Sequence, residues 1–497
     1  RIIGDPTEGA LLTAAAKAGL WKHNLENQSA FLGEIPFDSE RKMMTVIRHT
    51  SGGRVTAFTK GAPDFLLSRC SSRWMPDGLL PLSPGEREEI LAVNDRLAGR
   101  ALRVLAVARR AFDPAPSDYD SPTVEHDLSF VGLLAMIDPP REEVKAAIAE
   151  CRTAGIRTVM ITGDHKNTAA AIARELGFFP EGALALTGEE LDRLSEEGFR
   201  DELASIPVYA RVSPEHKLRI VRAWKKRGDV VAMTGDGVND APAMKEADIG
   251  VAMGITGTDV TKEVSDMIVT DDNFASIVAA VEEGRGIYDN IHKFIHYLLS
   301  CNMGEILTMF VSSLMGLPVP LLPIQILWVN LVTDGLPALA LGMDPVDKKV
   351  MDRPPRDPKE PVITRHRASL ILLQGAFIAL CSLLAFSFVF FYEKGGIERA
   401  RTAAFIVLST AQLFHALNCR SQSLSLFRLG VFSNLKLIAA DLASFLLLLA
   451  VIYLPDLQRI FKTVPLNASE WLLVVAVSSF PFWAMELVKA FGRRKTN

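Results

Sequence analysis

Two short runs in the sequence place residues suited to phosphate and metal chemistry within a few positions of each other. One is Thr162-Gly163-Asp164, which follows the apolar segment 157–162. The other is Thr234-Gly235-Asp236-Gly237-Val238-Asn239-Asp240, which follows 230–234. Glycines in such turns let the backbone approach a phosphate, and the N-terminus of a following helix favours an anion. Asp236 and Asp240 offer the hard carboxylate oxygens that hold Mg2+. Lys217, in the run Ala210-Arg211-Val212-Ser213-Pro214-Glu215-His216-Lys217, can neutralise a phosphoryl group from another strand's end. A lone Thr-Gly-Asp is an ordinary turn. The Gly-Asp-Gly-x-Asn-Asp run is far more specific.

A second constellation lies in apolar surroundings. Between His296 and Asp344 the only formal charges are Glu305 and Asp334. Asn302 and Glu305, three apart, share a helical face, and Asn330, Thr333 and Asp334 repeat that spacing. Gly335 and Pro337 allow this second helix to unwind locally and free backbone carbonyls. A carboxylate inside a bilayer is costly unless paired or liganded. Two carboxylates, two amides and a hydroxyl are all oxygen donors, which suits Ca2+ or another hard cation. Helix–helix hydrogen bonding is the competing reading for Asn302 or Thr333 alone; the five together point to ion binding.

The elements that must position these groups differ in the two halves of the chain. Residues 125–290 alternate short apolar segments (131–136, 157–162, 230–234, 249–253 and 266–270) with amphipathic helical stretches, which predicts a parallel sheet with helices on both faces. Chemistry in such sheets sits at the carboxyl ends of the strands. Beyond residue 290 come long runs almost free of charge. Residues 368–391, 402–419, 437–454 and 471–488 each approach the roughly 20 apolar residues that cross a bilayer. The stretch between His296 and Asp344 breaks at Gly316-Leu317-Pro318-Val319-Pro320 and reads as a hairpin of two more spans. The loop 343–367 holds Lys348, Lys349, Arg353, Arg356, Lys359, Arg365 and Arg367, and the tail adds Arg493, Arg494 and Lys495, so this side is cytoplasmic. An even number of spans returns the tail to the side of the soluble half. With 54 basic against 58 acidic residues there is no basic excess to suggest a nucleic-acid partner. Cys70, Cys151, Cys301, Cys381 and Cys419 are scattered, share no metal spacing and fit a reduced compartment.

The runs Met233-to-Gly254 (MTGDGVNDAPAMKEADIGVAMG), Met160-to-Asp164 (MITGD) and Lys60-to-Asp64 (KGAPD) resemble the P-type ATPases. The segment from Trp328 (WVNLVTDGLPALALG) is similar to the type IIA calcium pumps, both sarcoplasmic-reticulum-like and bacterial. The resemblance covers the whole chain. It implies part of a nucleotide-binding α+β domain over 1–137, the later part of a haloacid-dehalogenase-like Rossmannoid phosphorylation domain, lacking its first strand, over 138–289, and a six-helix transmembrane domain over 290–497. Asp138-Pro139-Pro140-Arg141 matches the family's hinge. By resemblance Phe37 stacks on adenine, and Glu8, Lys42, Lys60, Arg103 and Arg211 belong to the nucleotide site; Arg41 is expected in solvent. Thr162, Gly163, Asp164 and Lys217 match phosphate-site positions. Asp236 matches the Mg2+ ligand, with Asn239 and Asp240 as its neighbours. Asn302, Glu305, Asn330, Thr333 and Asp334 match ligands of the transported cation. Gln412 departs from the pattern, because two-ion calcium pumps carry glutamate there. Asp441 and Glu486 read as interfacial or helix-contact residues.

The implied partners are ATP, Mg2+, a transported cation, the lipid bilayer and an N-terminal part of the same pump. The sequence contains neither Asp-Lys-Thr-Gly-Thr, the family's phosphorylated motif, nor Thr-Gly-Glu-Ser. The expectation is therefore the C-terminal part of an ATP-driven Ca2+ pump of a bacterial cell membrane, with soluble domains and C-terminus cytoplasmic, inactive alone for want of its nucleophile. The alternatives are a pump for Mn2+ or Na+, a membrane-anchored haloacid-dehalogenase-type phosphatase, and a non-enzymatic remnant.

Overall fold

The computed structural model describes residues 6–38, 41–50, 54–100, 102–137, 141–164 and 166–492. Most of the hinge motif, residues 138–140, lies outside them. The chain divides into two compact units, residues 1–152 with 157–276, and residues 153–156 with 277–497.

The first unit opens with helix α1 (Pro6–Lys17) and a seven-stranded mixed sheet. Its strands are β1 (Ala30–Asp38), β2 (Met43–Thr50), β3 (Arg54–Gly61), β4 (Cys70–Met75), β5 (Gly78–Pro81), β6 (Arg103–Phe112) and β7 (Leu128–Met136), in the order β1-β2-β3-β6-β7-β4-β5. Strand β2 shows the period of two that a one-sided sheet requires: Met43, Thr45 and Ile47 are buried and their neighbours are less so. Helix α2 (Pro63–Ser68) sets Leu66 and Leu67 against Ala106, Ala108 and Leu128 of the sheet.

Then come two three-stranded parallel sheets. One joins β8 (Met160–Thr162), β9 (Ala185–Thr187) and β10 (Val208–Ala210) in the order β8-β10-β9; the other joins β11 (Ala232–Gly235), β12 (Ile249–Met253) and β13 (Met267–Val269). This corrects the expectation of one sheet in two respects. Residues 131–136 are not part of the parallel set. They end β7, which runs antiparallel to β6 from Arg103↔Met136 to Arg109↔Ser129, because Leu128 and Phe130 are buried against Leu66 and Cys70. The parallel strands themselves form two groups, joined by packing: Ile161 and Val231 touch both apolar clusters beneath them. Helix α3 (Pro214–Arg227) starts on a capping box between Ser213 and His216 with Pro214 in its first turn, and ends in Lys225, Lys226 and Arg227. Each device satisfies or complements a helix end. The short helix α4 (Ala241–Glu246) follows β11.

The second unit carries six helices long and apolar enough to cross a membrane: α5 (Phe274–Leu314), α6 (Pro323–Gly342), α7 (Arg365–Tyr392), α8 (Gly396–Cys419), α9 (Leu435–Tyr453) and α10 (Ala468–Ala490). The break between the first two falls at Gly316, whose φ of 68° turns the chain out of α5. Helix α8 is central, with Phe405, Ile406, Val407 and Leu408 fully buried in succession. Its neighbours keep apolar side chains such as Leu331, Leu339 and Leu372 exposed, as lipid-facing helices do. Helix α6 is not regular. Val329–Thr333 is a π-helical turn in which the Asp334 N–H donates to the Val329 carbonyl at 2.9 Å. The expected irregularity near Gly335 and Pro337 therefore takes the form of a π turn just before them. Such turns leave carbonyls outside the regular ladder, and the Ser444 hydroxyl of α9 lies 3.3 Å from those of Val332 and Thr333.

Candidate functional site

The carboxyl ends of β8, β10 and β11 bring the phosphate-type residues together. Thr162 ends β8, and its hydroxyl both donates to the Asp164 carboxylate and accepts the Asp164 N–H, each at 3.1 Å. The Asp164 carbonyl accepts the N–H of Arg211 at 3.2 Å, which fastens the loop after β8 to the loop after β10. Arg211 takes a left-handed backbone, φ 50°, to make that turn. Gly163, Asp164 and Arg211 are exposed.

Asp240 is the hub of the neighbouring loop. It is buried, and its Oδ2 accepts the N–H groups of Asp236 at 3.3 Å and Gly237 at 3.2 Å. Its Oδ1 pairs with the ammonium of Lys217, in the first turn of α3. One carboxylate thus ties the second sheet's loop to the helix that follows β10. Gly235 permits this, since a Cβ there would collide with the Asp240 side chain and the Met244 sulfur. Asp236 is left exposed; its carbonyl accepts the Thr258 N–H at 2.9 Å, and its carboxylate takes no hydrogen bond from the described residues. Asn239 is exposed beside it.

Of the nucleotide-type residues, Glu8, Phe37, Lys42, Lys60 and Arg103 gather at one end of the seven-stranded sheet, where β1 and β3 end and β2 and β6 begin, while Arg211 lies apart from them in the loop after β10. Lys60 pairs with Glu8 of α1, and Arg103 donates to Thr7 at 3.0 Å. Lys42 sits over the Phe65 ring at 4.3 Å. Phe37 is 64% exposed on β1, which excludes it from the core and leaves a face open for stacking. Arg41 corrects the expectation that it lies in solvent. It donates to the Pro36 carbonyl at 2.7 Å and pairs with Glu125, which is buried and also accepts from Thr45 at 2.8 Å and Ser121 at 2.6 Å. No local signal announces that anchor, because Glu125 is 84 residues away.

In the helical unit Glu305 accepts from Asn330 at 2.7 Å and from Gln412 at 3.3 Å, joining α5, α6 and α8. Asp334 accepts from the Tyr297 hydroxyl at 3.0 Å. Among the buried oxygens of the described residues that have no hydrogen-bond partner are Asp334 Oδ2, Thr333 Oγ1 and Gln412 Oε1. Asn302 spends its amide on the Leu298 carbonyl at 3.0 Å, one turn back on its own helix. Tyr297 escaped the sequence reading because an aromatic residue in an apolar helix reads as filler. Asp441, expected to be interfacial or a helix contact, has a buried Oδ1 on α9 without a partner among the described residues. Glu486 is a helix contact, accepting from Ser425 at 2.5 Å and from Lys489 at 3.1 Å.

Residues 1–143 match the model of the P-type ATPase cytoplasmic domain N, residues 79–248 that of haloacid dehalogenase-like hydrolases, and residues 318–491 that of the cation transporting ATPase C-terminus. A calcium-transporting ATPase of Bacillus subtilis is 52% identical over 482 residues, 96% of this chain and 54% of that protein. Calcium-transporting ATPase 1 of Lactococcus lactis is 42% identical, over 99% of this chain and 55% of that protein. An endoplasmic reticulum calcium ATPase of Aspergillus fumigatus is 37% identical, over 99% of this chain and 57% of that protein. The chain spans about half the length of the curated relatives it matches.

Proposed function

We propose, because this chain belongs to the P-type ATPases, that the protein of which it is part is an ATP-driven pump exporting Ca2+ from the cytoplasm through an aspartyl-phosphate intermediate. One observation carries the choice of cargo. Among the described residues, the oxygens of Asp334, Thr333 and Gln412 lie buried without donors beside the Glu305–Asn330 pair. Buried polar oxygens are normally satisfied. A set made only of carboxylate, hydroxyl and amide oxygens between apolar helices selects a hard cation. Gln412 donates to Glu305 rather than adding a third carboxylate to Glu305 and Asp334, which favours one ion per cycle over two.

Phosphoryl transfer is chiefly positioning and charge neutralisation. At the end of the large sheet, Phe37 offers a ring face to a base, while Lys42, Lys60 and Arg103 offer cations to a triphosphate. In the parallel sheets we assign the Thr162 hydroxyl, the Gly163 turn and Lys217 to the phosphoryl group. Asp240 holds Lys217 in place and fixes the Asp236–Gly237 backbone. Asp236 fits a Mg2+ ligand, since its carboxylate is exposed and takes no hydrogen bond from the described residues while that of Asp240 is fully used. Bound there, Mg2+ supplies charge neutralisation at phosphoryl oxygens. The accepting aspartate is not among these 497 residues, so the chain alone forms no phosphoenzyme. The six apolar helices make it an integral membrane protein; a bacterial cell membrane, with the soluble unit and C-terminus in the cytoplasm, fits the basic 343–367 loop.

In the full-length parent, Asp334→Asn is expected to abolish Ca2+-activated phosphorylation from ATP. Unchanged Ca2+ dependence removes Asp334 from the site. Activation by Mn2+ or Na+ in place of Ca2+ reassigns the cargo.

A further inference from the structure

We infer that His296, His415 and Cys419 form a second metal site in the helical unit, one that takes Zn2+ and is chemically distinct from the all-oxygen site at Glu305 and Asp334. Each of the three offers a ligand atom, and these atoms lie within 4.8 Å of one another. All three are buried, at 5%, 1% and 5% exposure. His415 and Cys419 stand one turn apart on α8, with Nε2 and Sγ separated by 3.3 Å. His296 comes from α5, its ring centroid 6.1 Å from that of His415. The scattered cysteines of the sequence therefore hid a spacing: His415-x3-Cys419 places both donors on one helical face.

The surroundings of His296 favour ligation. Its Nε2 lies 2.6 Å from Gln374 Oε1, which can only accept, so Nε2 carries the proton. Nδ1 is then a lone-pair nitrogen, and it is buried without a partner among the described residues. A ligating imidazole is ordinarily held this way, one nitrogen donating to an outer acceptor and the other left for the metal. Two imidazole nitrogens and a thiolate match Zn2+, whose bonds of about 2.0–2.3 Å require ligand atoms closer together than 4.8 Å; a contraction of roughly an ångström by side-chain rotation closes the site. On binding, the Cys419 thiol gives its proton to solvent and its sulfur bonds the metal, with no change of oxidation state.

Oxygen donors select hard ions and this nitrogen–sulfur set selects borderline ones, so the two sites discriminate by ligand chemistry. They also lie apart along α5: His296 and Glu305 are nine positions apart, about 13 Å at 1.5 Å per residue. A metal held here ties α5 to α8, the helices that meet again at Glu305 and Gln412. If the pump reading holds, Zn2+ therefore acts as a brake on transport.

The test uses the purified, metal-free chain in detergent, with Co2+ as the optical probe. One Co2+ per chain is expected, giving a thiolate-to-cobalt charge-transfer band and the strong visible bands of four-coordinate cobalt. An equivalent of Zn2+ should displace it and excess Ca2+ should not. Cys419→Ser should erase the thiolate band, and Gln374→Leu should weaken Co2+ binding about 10–100-fold. If Cys419→Ser fails to fold, judged by elution profile and circular dichroism, His415→Asn serves instead and should lose Co2+ by a similar factor. Absence of stoichiometric Co2+, or a thiolate band that survives Cys419→Ser, overturns the site. Asp334→Asn should leave Co2+ binding intact, so a failed calcium pump and a failed zinc site give different results.

Discussion

The phosphate-type site and the cation-type site use the same residue chemistry and satisfy it in opposite ways. At the strand ends, Asp240 spends both carboxylate oxygens on protein partners, the Lys217 ammonium and two backbone amides. Between the helices, Glu305 is similarly held, but Asp334 Oδ2, Thr333 Oγ1 and Gln412 Oε1 are left with none. Water can complete a site at a strand end, so the protein there needs only to fix loops. Inside a bilayer there is no such supply, so an oxygen left without a protein donor there is not satisfied by solvent either. The polar groups of the first site are tied to protein donors; in the second, three buried oxygens of the described residues are not.

The largest effect should come from breaking the scaffold. Asp240→Ala leaves Lys217 half-buried without its partner and frees the Asp236 and Gly237 amides. Removing one member of a buried pair costs about 3–5 kcal/mol. Urea unfolding of the purified chain, followed by tryptophan fluorescence, should show that loss for the soluble unit; a loss no larger than that of an exposed pair would mean that Asp240 organises nothing. Gly235→Ala attacks the same hub sterically, by forcing a methyl against Asp240 and Met244. Overpacking of this kind costs roughly 1–3 kcal/mol, and the same unfolding curve reads it.

A matched pair of threonines sharpens the contrast. Thr45 Oγ1 donates to the buried Glu125 at 2.8 Å and lies 2.9 Å from Thr59 Oγ1, so Thr45→Val strips a donor from a buried carboxylate. About 1–3 kcal/mol should be lost. Thr333 Oγ1 is also fully buried but has no partner, so Thr333→Val should leave the unfolding midpoint in the absence of divalent cation nearly unchanged. It should instead lower Ca2+ affinity in the full-length parent, by about tenfold for each 1.4 kcal/mol of lost coordination. Equal destabilisation by the two substitutions without cation would erase the distinction between the sites.

What could be read in the sequence follows the same line between local and distant partners. The Gly-Asp-Gly-x-Asn-Asp run and the apolar spans are local patterns, and the six helices and the turn after β11 appear where those patterns stand. The Lys217–Asp240 pair could be read only as a phosphate-type lysine and a separate Mg2+-type carboxylate, because 23 positions and a strand separate them. Arg41 was misjudged for a similar reason: its partner Glu125 reaches it through the packing of the sheet, which no window of sequence contains. Residues 131–136 have the apolar look of a parallel-sheet strand, and only the antiparallel register with β6 assigns them elsewhere. Asp441 shows the limit most plainly. Its place on α9 was legible, but whether its oxygen meets solvent, a donor or nothing depends on helices far away in the chain.

The smallest expected effect asks whether satisfied carboxylates at the strand ends report their hydrogen bonds as a pH dependence. Asp272, just after β13, accepts the N–H of Ile255 at 2.9 Å on one oxygen, and the N–H and hydroxyl of Thr256, both at 2.8 Å, on the other. These donors, the Ile255 amide foremost, hold its carboxyl below the ordinary value of 3.8. A folded-state value below the unfolded one stabilises the fold at pH values above the unfolded value. That contribution fades as pH falls from there through the folded value. Asp272→Asn keeps one accepting oxygen and tolerates the left-handed backbone, φ 51°, but turns an NH2 toward a donor. The stability gap between the native chain and Asp272→Asn should therefore be widest and flat near neutrality, then narrow in acid below about pH 4. A gap that stayed constant down to pH 2 would mean that the ionised carboxylate contributes nothing beyond its shape. The loop after β13 would then be held by packing alone, and the account of strand-end carboxylates as a hydrogen-bonded scaffold would rest on Asp240 only.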